Sequence, residues 1–283
     1  MVAALGLGVG FALAQALGLT PLAQDAAVYW RATPGHLYAA HYAIADAPFT
    51  YSPAFADALA PLRLIPLRWF DAAWQAGLVA VLVVTIRGWS LPVLALDLAL
   101  VPTGSGIVLP DIAMGNVQVL LGAVAVFGLR WPALWSFALL SKVTPGVGLV
   151  WFVARREWRN LAVALGVTAA IAAVSLAILP GDWFAWARFL TGGSPDFPLW
   201  TVPVPLWARL ASGATLVWWG ARTDRAWVVP LAVGWCIPIA YPTMTAAMVA
   251  ALGAQQRPKH VGEVVQVTDL VGLPLRRRQG LPR

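Results

Sequence analysis

The chain has 283 residues, 60% hydrophobic and 11% charged, with 19 Lys and Arg against 12 Asp and Glu for a formal net charge of +7. Soluble domains carry about 25% charged residues, so this composition excludes a cytosolic enzyme or a nucleic-acid reader despite the basic balance. It predicts an integral membrane protein whose basic residues mark cytoplasmic loops.

The apolar runs are continuous rather than alternating, which points to transmembrane helices and not a barrel. The first run, residues 2–20, has no Lys or Arg before it, and a retained helix is expected there rather than a cleaved signal peptide. Residues 21–52 are rich in Asp, Tyr, His, Thr and Pro. They read as an ordered extracytoplasmic loop with short helices, of a length usually kept for function.

Further runs at 53–66, 69–86, 91–108, 113–129, 132–153, 160–179, 203–220, 226–239 and 242–255 follow. The expected fold is an all-α, polytopic transmembrane helical bundle of about ten helices, several of them short. Pro53, Pro66, Pro92, Pro132, Pro145, Pro230 and Pro238 mark starts, breaks or kinks. Residues 180–202 form a second extracytoplasmic loop. Residues 1–255 read as one integral membrane domain and 256–283 as a flexible, basic cytoplasmic tail, whose 275–278 run (LRRR) can also touch anionic lipid.

Orientation follows from Lys and Arg in the short loops. A cytoplasmic N-terminus puts Arg63, Arg68, Arg155, Arg156, Arg159, Arg222, Arg225 and the tail inside, against Arg31, Arg87, Arg130 and Arg188 outside. Many of the 16 Trp lie near the ends of apolar runs, as interfacial aromatic belts require. The single cysteine, Cys236, excludes an intramolecular disulfide and a CxxC metal knuckle. No P-loop, zinc-protease or Rossmann motif is present, and the scattered Asp and His residues make no metal-ligand spacing.

Polar groups inside or beside spans are functional candidates. Asp25, in QDAAVYW, sits just after the first run, where a carboxylate can accept a proton as a general base or simply cap the helix that starts there. Tyr29 follows one turn later. Tyr51 lies in FTYSP, where Pro53 opens a helix. Asn116 and Gln118, in GNVQVLL after Asp111, point to different helix faces, one to a cavity and the other to a neighbouring helix. Lys142, in SKVTPG, falls midway along an apolar run. An ammonium there needs a counter-charge, either a bound phosphate or the other mid-run charge, Asp97.

In this order the motifs resemble the bacterial DUF2029 family, glycosyltransferase family 87, over roughly residues 20–255. The carrying residues are Asp25 and Tyr29, FTYSP, GNVQVLL, KVTP, the basic turn RREWR and the late CIPIAYP segment. Ser52 stands where the family has a proline, Asn116 and Gln118 are exchanged relative to its usual order, and the chain is shorter than the typical member.

The resemblance implies a GT-C architecture in the cell membrane with an extracytoplasmic active site. It further implies inverting transfer of a hexose, mannose in the family, from a polyprenyl-phosphate donor to a lipid-linked or glycan hydroxyl. Asp25 would be the general base, Lys142 would neutralise the leaving phosphate, and Tyr29, Tyr51, Asn116 and Gln118 would shape the sugar pocket. Such a donor calls for no nucleotide fold and no resident cofactor, and the sequence leaves metal dependence open. Two other readings stand beside it: a transporter or flippase built on Lys142 and Asp97, and a shortened, non-catalytic relative.

Overall fold

The computed structural model describes residues 2–38, 41–42, 47–103, 105–191, 203–238 and 245–255. The tail expected at 256–283 and residues 192–202 of the second loop lie outside the described residues.

The helices are α1 (Val2–Ala16), α2 (Gln24–Arg31), α3 (Pro53–Leu59), α4 (Leu67–Ile86), α5 (Ser90–Leu100), α6 (Leu109–Met114) and α7 (Gln118–Phe127). They continue with α8 (Trp135–Ser141), α9 (Val150–Arg155), α10 (Trp158–Ile178), α11 (Pro180–Thr191), α12 (Leu206–Arg222), α13 (Val228–Trp235) and α14 (Ala246–Gln255). The all-α expectation holds, with one short pairing of extended residues beside the helices. Inside the first loop β1 (His41–Tyr42) pairs antiparallel with β2 (Ala47–Pro48), His41 opposite Pro48.

Among the described residues, two stretches are long and apolar enough to cross a bilayer, Leu67–Leu100 and α10. Of the expected bundle of about ten helices, several of them short, these two are the full-length spans among the described residues. Proline and loop chemistry divide the other runs. The 132–153 run becomes a 3-10 turn at Pro132–Leu134, α8, a second 3-10 turn at Thr144–Leu149, and α9. Pro145 lacks an amide hydrogen and its ring opposes the Ser141 carbonyl, so α8 stops at Ser141.

The 53–66 run is not a span either. It folds as α3 and a 3-10 turn (Ala60–Leu64) held beside α2, where the Trp30 indole donates to the Ile65 carbonyl at 2.9 Å.

That correction reassigns two ends of the bundle. Arg63 and Arg68 lie with the first loop, Arg68 against Gly18. Arg87 ends α4 about 20 Å along the helix from Trp74, which reaches the first-loop end. Arg130 follows the far end of α7. Arg87 and Arg130 thus exchange ends with Arg63 and Arg68, and the basic excess at the end away from the first loop is unchanged. Arg155 joins the two basic turns of that far end through Glu157 (3.0 Å) and Asp224 (2.9 Å).

The main core gathers α2, α3, α7, α8, α9, α12 and α13 around Trp135, Tyr29, Phe49 and Phe152. A second cluster packs α1, α4, α5 and α6 against α7 and α14 through Leu78, Leu82, Ile86 and Ile112. On α10 only Ala164 and Ser175 are buried and most of the other residues are exposed, so a 21-residue apolar helix turns most of its surface outward, as a lipid-facing helix does. Trp69, Trp89, Trp131, Trp158, Trp207, Trp218 and Trp219 are exposed at or near helix ends, which suits interfacial belts, whereas Trp135 and Trp151 are core filler.

Candidate active site

Helix α4 sets the site. In its first turns Asp71 accepts the Ala23 amide at 3.1 Å, anchoring the start of α2, and Gln75 steadies Asp71 at 2.8 Å. One turn after Asp71, the Trp74 indole donates to the Gly115 carbonyl at 2.8 Å and holds the turn between α6 and α7. Gly115 has φ +73, and a Cβ there would lie 2.8 Å from that of Ala26. Only glycine combines this left-handed backbone with so close an approach to α2.

The approach brings together two residues far apart in sequence. Asn116 Nδ2 donates to Asp25 Oδ2 at 2.6 Å, while Asn116 Oδ1 accepts the Gln118 amide at 3.2 Å and starts α7. The capping reading of Asp25 fails, because Ala23 is the N-cap of α2 and no side chain caps it. Asp25 is instead a partly buried carboxylate held by a side chain from another element. Burial raises its pKa, and Lys142 and the Asn116 hydrogen bond oppose that rise in part.

The Tyr29 and Tyr51 hydroxyls bond each other at 2.7 Å, with the rings edge-on at 5.1 Å. Burial, with the charge of Asp25 close by, keeps both phenols protonated well above the ordinary range. Tyr51 stacks on Phe55 at 4.8 Å, and the Lys142 ammonium lies 5.6 Å from the Tyr51 ring centre.

Lys142 is half-buried and caps the C-terminus of α8 in an extended conformation, so it stands at a helix break and not midway along a continuous span. Its proposed pairing with Asp97 does not occur. Asp97 accepts the amides of Ile107, Val108 and Leu109 and caps α6. The ion pairs among the described residues, both made by Arg155, do not include Lys142. Ser52 explains one departure from the family pattern: its amide (3.3 Å) and hydroxyl (2.5 Å) both donate to the Leu140 carbonyl, tying Tyr51 to the helix that carries Lys142. A proline there has no donor to give.

Gln118 is buried, and neither end of its amide finds a partner among the described residues. Of the pair, Asn116 is the one that bonds a neighbouring helix, α2, and Gln118 is the one left without a partner. Asp111, noted in sequence only as a neighbour of the amide pair, belongs to the same cluster. Its Oδ2 accepts the Ala246 amide at 3.3 Å, Oδ1 is unpartnered among the described residues, and its charge bears on both Lys142 and Asp25. The spacing to Asn116 was the available signal. Trp74 and Asp71 carried none, being an ordinary aromatic and an ordinary charge at the start of an apolar run.

Among the described residues no group of His, Cys, Asp and Glu is arranged to hold a metal ion. What the site offers is two carboxyl groups, an ammonium, two phenols and two amides at one end of an apolar helical bundle. Such a set suits a membrane enzyme that handles hydroxyls and an anion. The profile of glycosyltransferase family 87 matches residues 49–272, and the chain belongs to that family and is a glycosyltransferase. The match begins at Phe49, so Tyr51, Asn116, Gln118 and Lys142 fall within it, while Asp25 and Tyr29 precede it and join the site through the contacts above. No curated protein and no solved structure matches the chain.

Proposed function

We propose that this membrane glycosyltransferase transfers a hexose, mannose by the family's habit, from a polyprenyl-phosphate donor to a lipid-linked or glycan hydroxyl, with inversion and with a GT-C architecture. The observation that carries the reading is the Asp25–Asn116 pair at 2.6 Å. A carboxylate fixed by an amide, raised in pKa and partly exposed, is suited to take a proton from an acceptor hydroxyl.

In the proposed step the acceptor O–H proton goes to Asp25 as the oxygen attacks the anomeric carbon. The bond from that carbon to the phosphate oxygen breaks, and polyprenyl phosphate leaves with the electron pair. Lys142, with no carboxylate in salt-bridge contact among the described residues, is available to stabilise that charge, the largest requirement of such a reaction. Tyr29, Tyr51, Asn116 and Gln118 would line the sugar, and the unpartnered Gln118 amide is a ready hydrogen-bonding group for it.

A separate, wholly apolar cleft of about 470 Å³, lined by residues such as Val81, Val84, Leu120, Phe127 and Phe137, suits an isoprenoid chain. Phe137 packs on Phe55, which stacks under Tyr51, so the cleft adjoins the site. The basic far end would face the cytoplasm and the site the extracytoplasmic side of the cell membrane. The test is label transfer from polyprenyl-phosphate mannose to a host lipid extract by membranes carrying the protein. Absence of transfer with the protein well expressed would overturn the reading.

A further inference from the structure

A cavity of about 620 Å³ opens between the first loop and α11, with Gly35, His36, Tyr38, Asp182, Arg188 and Phe189 among its lining residues. Its two walls come from segments far apart in sequence and are joined directly. Asp182, buried at the start of α11, accepts the Gly35 amide at 2.7 Å, and the Tyr38 and Phe189 rings stack at 5.7 Å with planes 29° apart. The cavity is also coupled to the site. The Tyr38 hydroxyl donates to the Tyr51 carbonyl at 2.5 Å, and the Tyr51 hydroxyl meets that of Tyr29, one turn from Asp25.

We propose that this groove binds the saccharide of the acceptor, an inference that rests on the transferase reading above and names where its second substrate lies. A sugar ring has an apolar C–H face and a rim of hydroxyls, and it needs an aromatic surface flanked by polar and charged groups. The groove supplies the Tyr38–Phe189 platform with Asp182, Arg188 and His36 around it. The cleft by Phe137 has no such groups and suits a chain with no hydroxyls. Two cavities of opposite chemistry beside one site therefore sort the two substrates.

The test uses the full chain in lipid nanodiscs with octyl α-mannoside as the probe and Phe189→Ala and Arg188→Ala as variants. Arg188 is exposed and Phe189 half-exposed, so both changes spare the core. Saturation-transfer NMR should show octyl mannoside binding to the native protein and a loss of about tenfold in affinity in each variant. With donor present, the acceptor KM should rise by the same factor while the donor KM stays constant. Binding unchanged in both variants, or absent from the native protein, overturns the groove. Binding that follows the pattern without any sugar transfer would preserve the groove and overturn the transferase reading alone.

Discussion

Asn116 and Asp25, 91 positions apart, are joined by a 2.6 Å hydrogen bond in which the amide of one fixes the carboxylate of the other. The bond exists because Trp74 and Asp71, one turn apart on α4, grip the α6–α7 turn and the start of α2. If Asn116 positions the base, Asn116→Ala leaves the protein folded but frees the carboxylate. A hydrogen bond to a charged group contributes about 1.5–3 kcal/mol, so kcat should fall about 10- to 100-fold. Steady-state kinetics on the variant check this, and an unchanged kcat would remove Asn116 from the site.

The same bond predicts a pH effect. Burial raises the Asp25 pKa, and Lys142 and Asn116 lower it in part. A general base must be ionised, so activity should fall on acidification through a pKa above the ordinary carboxylate range of about 3.9. In Asn116→Ala that acid limb should move to higher pH, because one lowering influence is gone. The stability effect has the opposite sense. A carboxyl with a raised folded pKa binds its proton more tightly when folded, so its contribution is greatest at low pH and is lost as pH rises through that pKa. A pH profile of kcat/KM for both proteins, with the limb unmoved, would count against the pairing.

Lys142 predicts a charge requirement. Lys142→Met should lower kcat about 100- to 1000-fold, the range for removing one group that stabilises a leaving anion, and Lys142→Arg should restore part of it. Equal activity in native and Met forms would mean that the leaving phosphate is stabilised elsewhere.

Gly115 predicts a structural cost. An alanine there meets about 1–2 kcal/mol of left-handed backbone strain and about 1–3 kcal/mol of overpacking against Ala26. Gly115→Ala should lower the thermal midpoint and the activity together, because α2 must move and Asp25 with it. Thermal unfolding in nanodiscs checks the first part. Gly6→Ala, inside α1 at a glycine with nothing within 4 Å, is the control expected to leave activity unchanged and not to lower the thermal midpoint.

Composition made the helical membrane class legible, and motif order made the family legible, since both depend on residue type along the chain. The chemistry around Asp25 was legible only as a choice. A sequence shows that an aspartate precedes an apolar helix, but whether it caps that helix depends on Ala23 finding Asp71 across the fold. Where the apolar runs break was hidden for a related reason. Hydropathy sees 53–66 and 132–153 as apolar, while Pro145 and the Trp30–Ile65 bond decide where the backbone breaks and returns. The role of Asp97 was equally invisible, because its partners are backbone amides and carry no side-chain signature.

The proposed role of Asp25 as the base of a sugar-transfer reaction is tested most directly by replacing its carboxylate. Membranes bearing native protein or Asp25→Asn at equal expression would be incubated with labelled polyprenyl-phosphate mannose and a host lipid extract. Label should appear in the acceptor for the native protein and fall at least about 100-fold for the variant. Transfer by Asp25→Asn at the native rate would contradict it.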